Sequence, residues 1–187
     1  VRFHRTPIDG LVVVELEPFG DERGWFARTF CAEEFGAAGL PTAFVQGNHS
    51  RTAVAGTVRG MHLQLAPAAE DKYVRCVRGA IFDVGVDLRS GSPTFGTWWG
   101  SELSAENGLG LLLPKGVAHG MQTLVDDVET TYLMSAPYTP SLERGVRHDD
   151  PAIGIEWPRP VTTVSDKDRA WPDVGPETAV EVAGGGR

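Results

Sequence analysis

The sequence has 187 residues, 41% of them hydrophobic, which suits one ordinary core and is too little for two comfortable domains. A formal net charge of −8 excludes broad binding to nucleic acid or to an anionic membrane, although a local cluster of Arg and Lys can still hold an anionic small molecule. With only Cys31 and Cys76 present, a disulfide framework is excluded, and both read as small buried hydrophobes in a reducing compartment.

In chain order, Leu11 to Glu17 reads as a strand around the β-branched run Val12, Val13 and Val14, followed by a turn region from Pro18 to Gly24. Trp25 to Phe30 resumes an extended pattern. Ala32 to Ala38 predicts one short helix, with Glu33 and Glu34 in its first turn and Gly39 as its stop. Thr57 to Gln64 and Lys72 to Val77 predict two strands separated by the loop Ala66 to Asp71. Phe82, Val84, Val86 and Leu88 alternate with Asp83, Gly85 and Asp87, the clearest period of two in the chain. Further strands are predicted at Thr94 to Leu103, Leu109 to Leu113, Met121 to Val125 and Val128 to Met134, with Asp126 and Asp127 forming a hairpin turn. At least eight short strands predict a sandwich or barrel. Residues 1–176 form the expected single domain, and residues 177–187, ending in Gly184, Gly185 and Gly186, the expected flexible tail. No apolar stretch approaches the roughly 20 residues needed to span a bilayer. Arg2, His4, Arg5 and Asp9 interrupt any N-terminal apolar segment, so a cytoplasmic location is expected.

Several polar groups do not suit a bland core. Simple alternation along Val58 to Gln64 places Arg59, Met61 and Leu63 on one face and His62 and Gln64 on the other, unless a bulge at Gly60 shifts the phase. In isolation the segment fits a solvated strand face. Its company suggests otherwise: Lys72 and Arg75 on the next strand, His119 within Pro114 to Gly120, and Tyr132 in an apolar-rich strand. A metal site is not expected, because His62 is followed by Leu63 and Gln64 with no second His nearby. There is no Gly-x-Ser-x-Gly elbow and no Gly-rich phosphate loop, so hydrolase, hydride-transfer and ATP chemistry lack their usual machinery. Proton transfer remains. A carboxylate can orient a neutral His as base, a Lys can hold an enolate oxygen, and a phenol can return a proton from the other side.

Six motifs stand in order at residues 20–26 (GDERGWF), 44–50 (FVQGNHS), 59–62 (RGMH), 89–96 (RSGSPTFG), 114–120 (PKGVAHG) and 165–168 (SDKD). On these the sequence resembles the dTDP-4-dehydrorhamnose 3,5-epimerase family. The resemblance runs from about Ile8 to Trp171. It implies an all-β, cupin-like jelly roll, a double-stranded β-helix barrel with short peripheral helices. It also implies cofactor-independent epimerisation of a dTDP-4-keto-6-deoxysugar at C3 and C5. His62 matches the family's base, Asp168 its paired carboxylate, Lys72 the residue stabilising the enolate and Tyr132 the acid. Arg59 matches a pyrophosphate contact, and Gln46, Asn48, His119, Tyr138, Glu143 and Lys167 match positions around the sugar or nucleotide. Arg23 and Phe26 fall where the family reaches into a neighbouring subunit's pocket, which implies a homodimer.

The sequence departs from the family with Arg28 in place of a usual carboxylate, Gly47 in place of Asp and His148 in place of a frequent Trp. Met61 and Leu63 replace residues that are often Leu and an aromatic. The same residues also suit a mono-epimerase acting at C3 or C5 alone, or a 3,4-ketoisomerase. A non-catalytic sugar-nucleotide binding module would need Arg59 and pocket aromatics but no catalytic quartet.

Overall fold

The computed structural model describes residues 1–182. Among the described residues thirteen strands run in the order β1 (Arg2–Arg5), β2 (Val12–Glu15), β3 (Phe19–Asp21), β4 (Gly24–Phe26), β5 (Gln46–Thr52), β6 (Val58–Gln64), β7 (Lys72–Arg78), β8 (Ala80–Asp87), β9 (Trp98–Ser104), β10 (Leu109–Leu113), β11 (Val117–Thr123), β12 (Val128–Met134) and β13 (Glu143–Gly145). Two short α-helices accompany them, α1 (Ala32–Ala37) and α2 (Asp166–Arg169). One sheet has six strands in the order β1-β2-β10-β7-β12-β5, and a second has five in the order β13-β6-β11-β8-β9. Strands β3 and β4 form a separate hairpin.

The fold is all-β with short helices, but the expected barrel is not formed. Closure requires every strand to have two hydrogen-bonded neighbours, and β1, β5, β13 and β9 each have one. The edge strands β5 and β13 belong to different sheets and both contribute side chains to a cavity between them, so the gap that closure would seal is the cavity itself.

Side-chain alternation builds three apolar layers. On β10, Leu111 and Leu113 face the space between the sheets, where they meet Val13, Val74, Cys76, Ile81 and Val117. Leu112 points the other way, with Val12, Val14 and Tyr73, onto Phe35 of α1. The period-two face of β8, Phe82 to Leu88, packs outward beneath Val146, Ile153 and Val180. Its alternate residues Asp83, Gly85 and Asp87 therefore look inward. Gly85 has no room for a side chain, since a Cβ there would lie 2.9 Å from Val117.

The described part of the expected flexible tail is not frayed. Val180 is buried, its amide donates to the Leu88 carbonyl at 2.8 Å, and it bridges to Arg89. The apolar face of β8 needs this cover, which explains the docking. Gly184 to Gly186 lie outside the described residues. Cys76 is a core residue, whereas Cys31 is only half-buried at the start of α1. No helix among the described residues is long and apolar enough to cross a membrane.

Candidate active site

At one end of the inter-sheet space the lining changes from apolar to ionisable around a cavity of about 530 Å³, a size suited to a small organic ligand. The six-stranded sheet supplies Gln46 and Asn48 from β5, Lys72 from β7 and Tyr132 from β12, while β6 and β11 of the facing sheet supply Arg59, His62 and His119. Tyr138, Glu143, Lys167 and Asp168 complete the rim and wall.

Arg59 and His62 reach the same cavity because β6 is irregular at Gly60. His119 pairs with His62 and Met121 with Arg59, so Gly60 and Met61 together oppose the single residue Gly120. Gly60 has φ +136, and a Cβ there would lie 2.5 Å from the Gly120 Cα, so only glycine fits. The irregularity turns Met61 into the outer core, where it is fully buried, and overrides the simple alternation that had separated Arg59 from His62.

Asp168 arrives from far along the chain. The amide of Val58 donates to the Thr163 carbonyl at 2.8 Å, which lays the C-terminal segment along β6. Ser165 then caps α2, accepting from the Asp168 amide at 3.1 Å. The Asp168 carboxylate, only 3% exposed, accepts from His62 Nε2 at 2.6 Å and from the Gly60 amide at 3.3 Å. Burial pushes this carboxyl upward, but the bonds and charge from His62, the Gly60 amide and Ser165 outweigh it and hold its pKa below the ordinary value. Since Asp168 is ionised, Nε2 of His62 carries the proton and Nδ1 bears the lone pair.

A second such pair stands beside the first. His119 Nε2 donates to Asp83 Oδ1 at 2.7 Å, and Asp83 is fully buried on the inward face of β8. Burial raises the pKa of Tyr132, with the nearby Arg59 charge opposing it. The Arg59 Nε donates to Thr52 Oγ1 at 3.0 Å. At the rim, Lys167 Nζ donates to both oxygens of Glu143 at 2.9 Å, and the Tyr138 hydroxyl donates to Glu143 at 3.0 Å. Burial would raise the Glu143 carboxyl, but the Lys167 and Tyr138 bonds outweigh it and bring its pKa down. Gln46 Nε2 donates to Asn48 at 3.1 Å, and its Oε1 accepts from the Tyr138 amide at 2.9 Å.

Eleven of the thirteen residues expected at the site thus line one cavity. Arg23 and Phe26 do not: they sit on the β3–β4 hairpin, where Phe26 is 73% exposed and Arg23 pairs with Asp21. Asp83, Glu70, Gln64 and Ser165 also belong to the site or its support and were not among the expected residues. The alternation of Asp83 and Asp87 with the apolar face of β8 was the available signal for a buried carboxylate at Asp83. Of the departures, Arg28 pairs with Glu34 at the surface, Gly47 faces Leu133 away from the cavity, and His148 is buried beside a neighbouring pocket. Burial depresses the His148 pKa. Among the described residues no group of three or more His, Cys, Asp or Glu is placed to hold a metal ion.

An open two-sheet fold whose interior passes from an apolar core into a wall of paired ionisable side chains defines a cupin-like enzyme of the acid–base type. Residues 5–175 match the family described as dTDP-4-dehydrorhamnose 3,5-epimerase. The chain belongs to that family. It is 46% identical over 173 residues to the dTDP-4-dehydrorhamnose 3,5-epimerase of Sinorhizobium fredii, covering 92% of this chain and 89% of the relative. It is 38% identical over 170 residues to a dTDP-4-dehydrorhamnose 3-epimerase of Streptomyces niveus, covering 90% and 82%. A crystal structure of the 3,5-epimerase from Legionella pneumophila in complex with dTDP-4-keto-L-rhamnose superposes with a TM-score of 0.90 at 36% identity, covering 98% of this chain and 99% of that one.

Proposed function

We propose that this chain epimerises a dTDP-linked 4-keto-6-deoxyhexose at C3 and C5. The observation that carries the reading is the placement of His62 and Tyr132 on opposite sheets around one cavity, with Lys72 in the same wall. Asp168 fixes the His62 tautomer, and Nδ1 takes the proton from the carbon beside the ketone. The electron pair released from that C–H bond moves into the C4 carbonyl as an enolate, and Lys72 donates to the oxygen as charge develops. Tyr132 returns a proton to the opposite face and is reprotonated from solvent, while the imidazolium of His62 gives the abstracted proton up to solvent, which restores both groups. Its raised pKa keeps the phenol protonated at neutral pH, ready to act as the acid. Protons move and no net oxidation occurs, so the balance calls for no redox cofactor.

Arg59 is assigned to the pyrophosphate, and Gln46, Asn48, His119, Tyr138, Glu143 and Lys167 to the sugar or nucleotide, which accords with their positions around the cavity. Residues 1–176 act as one domain. The chain works as a homodimer, with Arg23 and Phe26 of the β3–β4 hairpin entering the neighbouring subunit's site. Phe19, Trp25 and Phe26 are each more than three-fifths exposed on that hairpin, an apolar surface that a second copy would cover.

The test follows solvent deuterium into the sugar by proton NMR. Label at both C3 and C5 is expected, and none at either carbon with folded enzyme and intact substrate refutes the reading. A mono-epimerase is the second reading, favoured by the Streptomyces niveus relative, and label at a single carbon selects it.

A further inference from the structure

We propose that Glu70 is a positioning residue for Lys72, supplying its resting counter-charge without occupying its donors; this rests on the reading of Lys72 as the group that holds the enolate oxygen. Glu70 lies in the loop between β6 and β7, its side chain only 4% exposed beside the 11% exposed side chain of Lys72. An ammonium taken this far out of water is costly unless an opposite charge accompanies it. Glu70 Oε1 stands 3.5 Å from Lys72 Nζ. That is near enough to compensate charge, yet longer than the about 2.7–2.9 Å of a charge-assisted hydrogen bond. A tight pair would spend the ammonium's hydrogens on the carboxylate. The looser one leaves them for an oxygen in the cavity.

The spacing is enforced from the other side. Glu70 Oε2 accepts from Gln64 Nε2 at 3.2 Å. The two hydrogens of that amide are shared among this oxygen, the Ala68 carbonyl at 3.0 Å and the Pro137 carbonyl at 3.3 Å, while Gln64 Oε1 accepts from the Thr139 amide at 2.5 Å and fixes the orientation of the side chain. The carboxylate is therefore tied to β6 through Gln64, which restrains it from closing on Nζ. As the enolate forms, Lys72 gains a closer anion than the one it rests beside. The arrangement favours the charged transition state over the neutral ketone.

Glu70→Gln keeps the volume and an acceptor for Gln64 but removes the charge. Turnover in the deuterium-exchange assay is expected to fall about 10- to 100-fold, while the Kd for dTDP stays within about twofold because that ligand carries no ketone. In the double variant Lys72→Ala/Glu70→Gln, exchange is expected to be no slower than in Lys72→Ala alone. Wild-type turnover in Glu70→Gln, additive losses in the double variant, or dTDP affinity falling as far as turnover would each overturn the proposal. Should Glu70→Gln not fold, Glu70→Asp takes its place: withdrawing the carboxylate by one methylene lowers turnover at unchanged dTDP affinity, and unchanged turnover overturns the idea. An intact Lys72→Ala enzyme removes the oxyanion role of Lys72 and this proposal with it. A defective Lys72→Ala beside an unaffected Glu70→Gln removes this proposal alone.

Discussion

His62 and Tyr132 look into one cavity from different sheets, His62 from β6 and Tyr132 from β12. A base and an acid on separate walls can serve opposite faces of one ring, which inversion at carbon requires. Tyr132→Phe separates the two half-reactions. It keeps the base and so retains deuterium exchange without inversion, while net epimerisation falls by about 10² to 10⁴. Proton NMR of the product distinguishes label with retention from label with inversion. Full epimerisation at the wild-type rate would remove Tyr132 as the acid.

Asp168→Asn tests the orientation of the base. An amide in place of the carboxylate can donate to His62 Nε2, which would move the imidazole proton to Nδ1 and leave the wrong nitrogen facing the substrate. Turnover is expected to fall about 10² to 10⁴-fold with dTDP affinity little changed. Titration calorimetry with dTDP beside exchange kinetics provides the check. Equal losses in binding and turnover would instead mean that the substitution has disturbed the cavity.

The apolar strands were legible from their hydrophobic content, β8 through its period of two and β2 through its β-branched run: β2, β7, β8, β10 and β12 lie where the hydrophobic pattern placed them. Strand β5, Gln46–Thr52, was missed because its sequence QGNHSRT is polar on both faces, one toward solvent and the other toward the cavity. Strand β11 was expected only from Met121, but it begins at Val117. Strand count and turn spacing left sandwich and barrel open; the closed barrel was implied by the resemblance, and the four single-neighbour strands overturn it. Arg59, His62, Lys72, His119 and Tyr132 stood out as polar groups ill-suited to a bland core, while their roles and the partner Asp168 came from the motif resemblance. Alternation alone set Arg59 and His62 apart, and only the two-for-one pairing at Gly60 reunites them.

The motif Arg89 to Gly96 turns out to be a clamp on Asp87. This fully buried carboxylate accepts from Arg89 Nε at 2.8 Å, Ser92 Oγ at 2.6 Å and Thr94 Oγ1 at 2.6 Å. Burial pushes its pKa up, but these bonds prevail and bring it down to about 2. Because the folded value lies below the unfolded one, the stabilisation is present above about pH 4 and is lost as pH falls through about 2. It amounts to about 2 kcal/mol. Asp87→Asn should therefore be less stable than wild type by that amount near neutral pH, with the difference vanishing near pH 2. Urea denaturation across this range measures it, and a gap that persists undiminished at pH 2 would assign the effect to packing.

The exposed hairpin carries the assembly prediction. Replacing Trp25 and Phe26, 65% and 73% exposed, by serine removes no core contact, so the folded chain should keep its thermal stability as a monomer. If the hairpin completes a neighbouring site, sedimentation should show loss of the dimer and exchange should fall with it. A dimer that persists with full activity would exclude the hairpin from both roles.

Gly60→Ala probes the irregularity that builds the site. The added Cβ would lie 2.5 Å from the Gly120 Cα and 2.9 Å from the His119 carbonyl oxygen, backbone atoms that cannot step aside singly, and φ +136 disfavours any side chain. Relief requires β6 to move away from β11 or to regain regular alternation, and the second course would turn either Arg59 or His62 out of the cavity. The substitution should cost roughly 2 to 4 kcal/mol of stability, read from the urea midpoint. Among molecules that remain folded it should abolish exchange, because no arrangement of an ordinary strand presents both side chains to one substrate. A stable, active Gly60→Ala enzyme would mean that the bulge is not what places His62 beside Arg59.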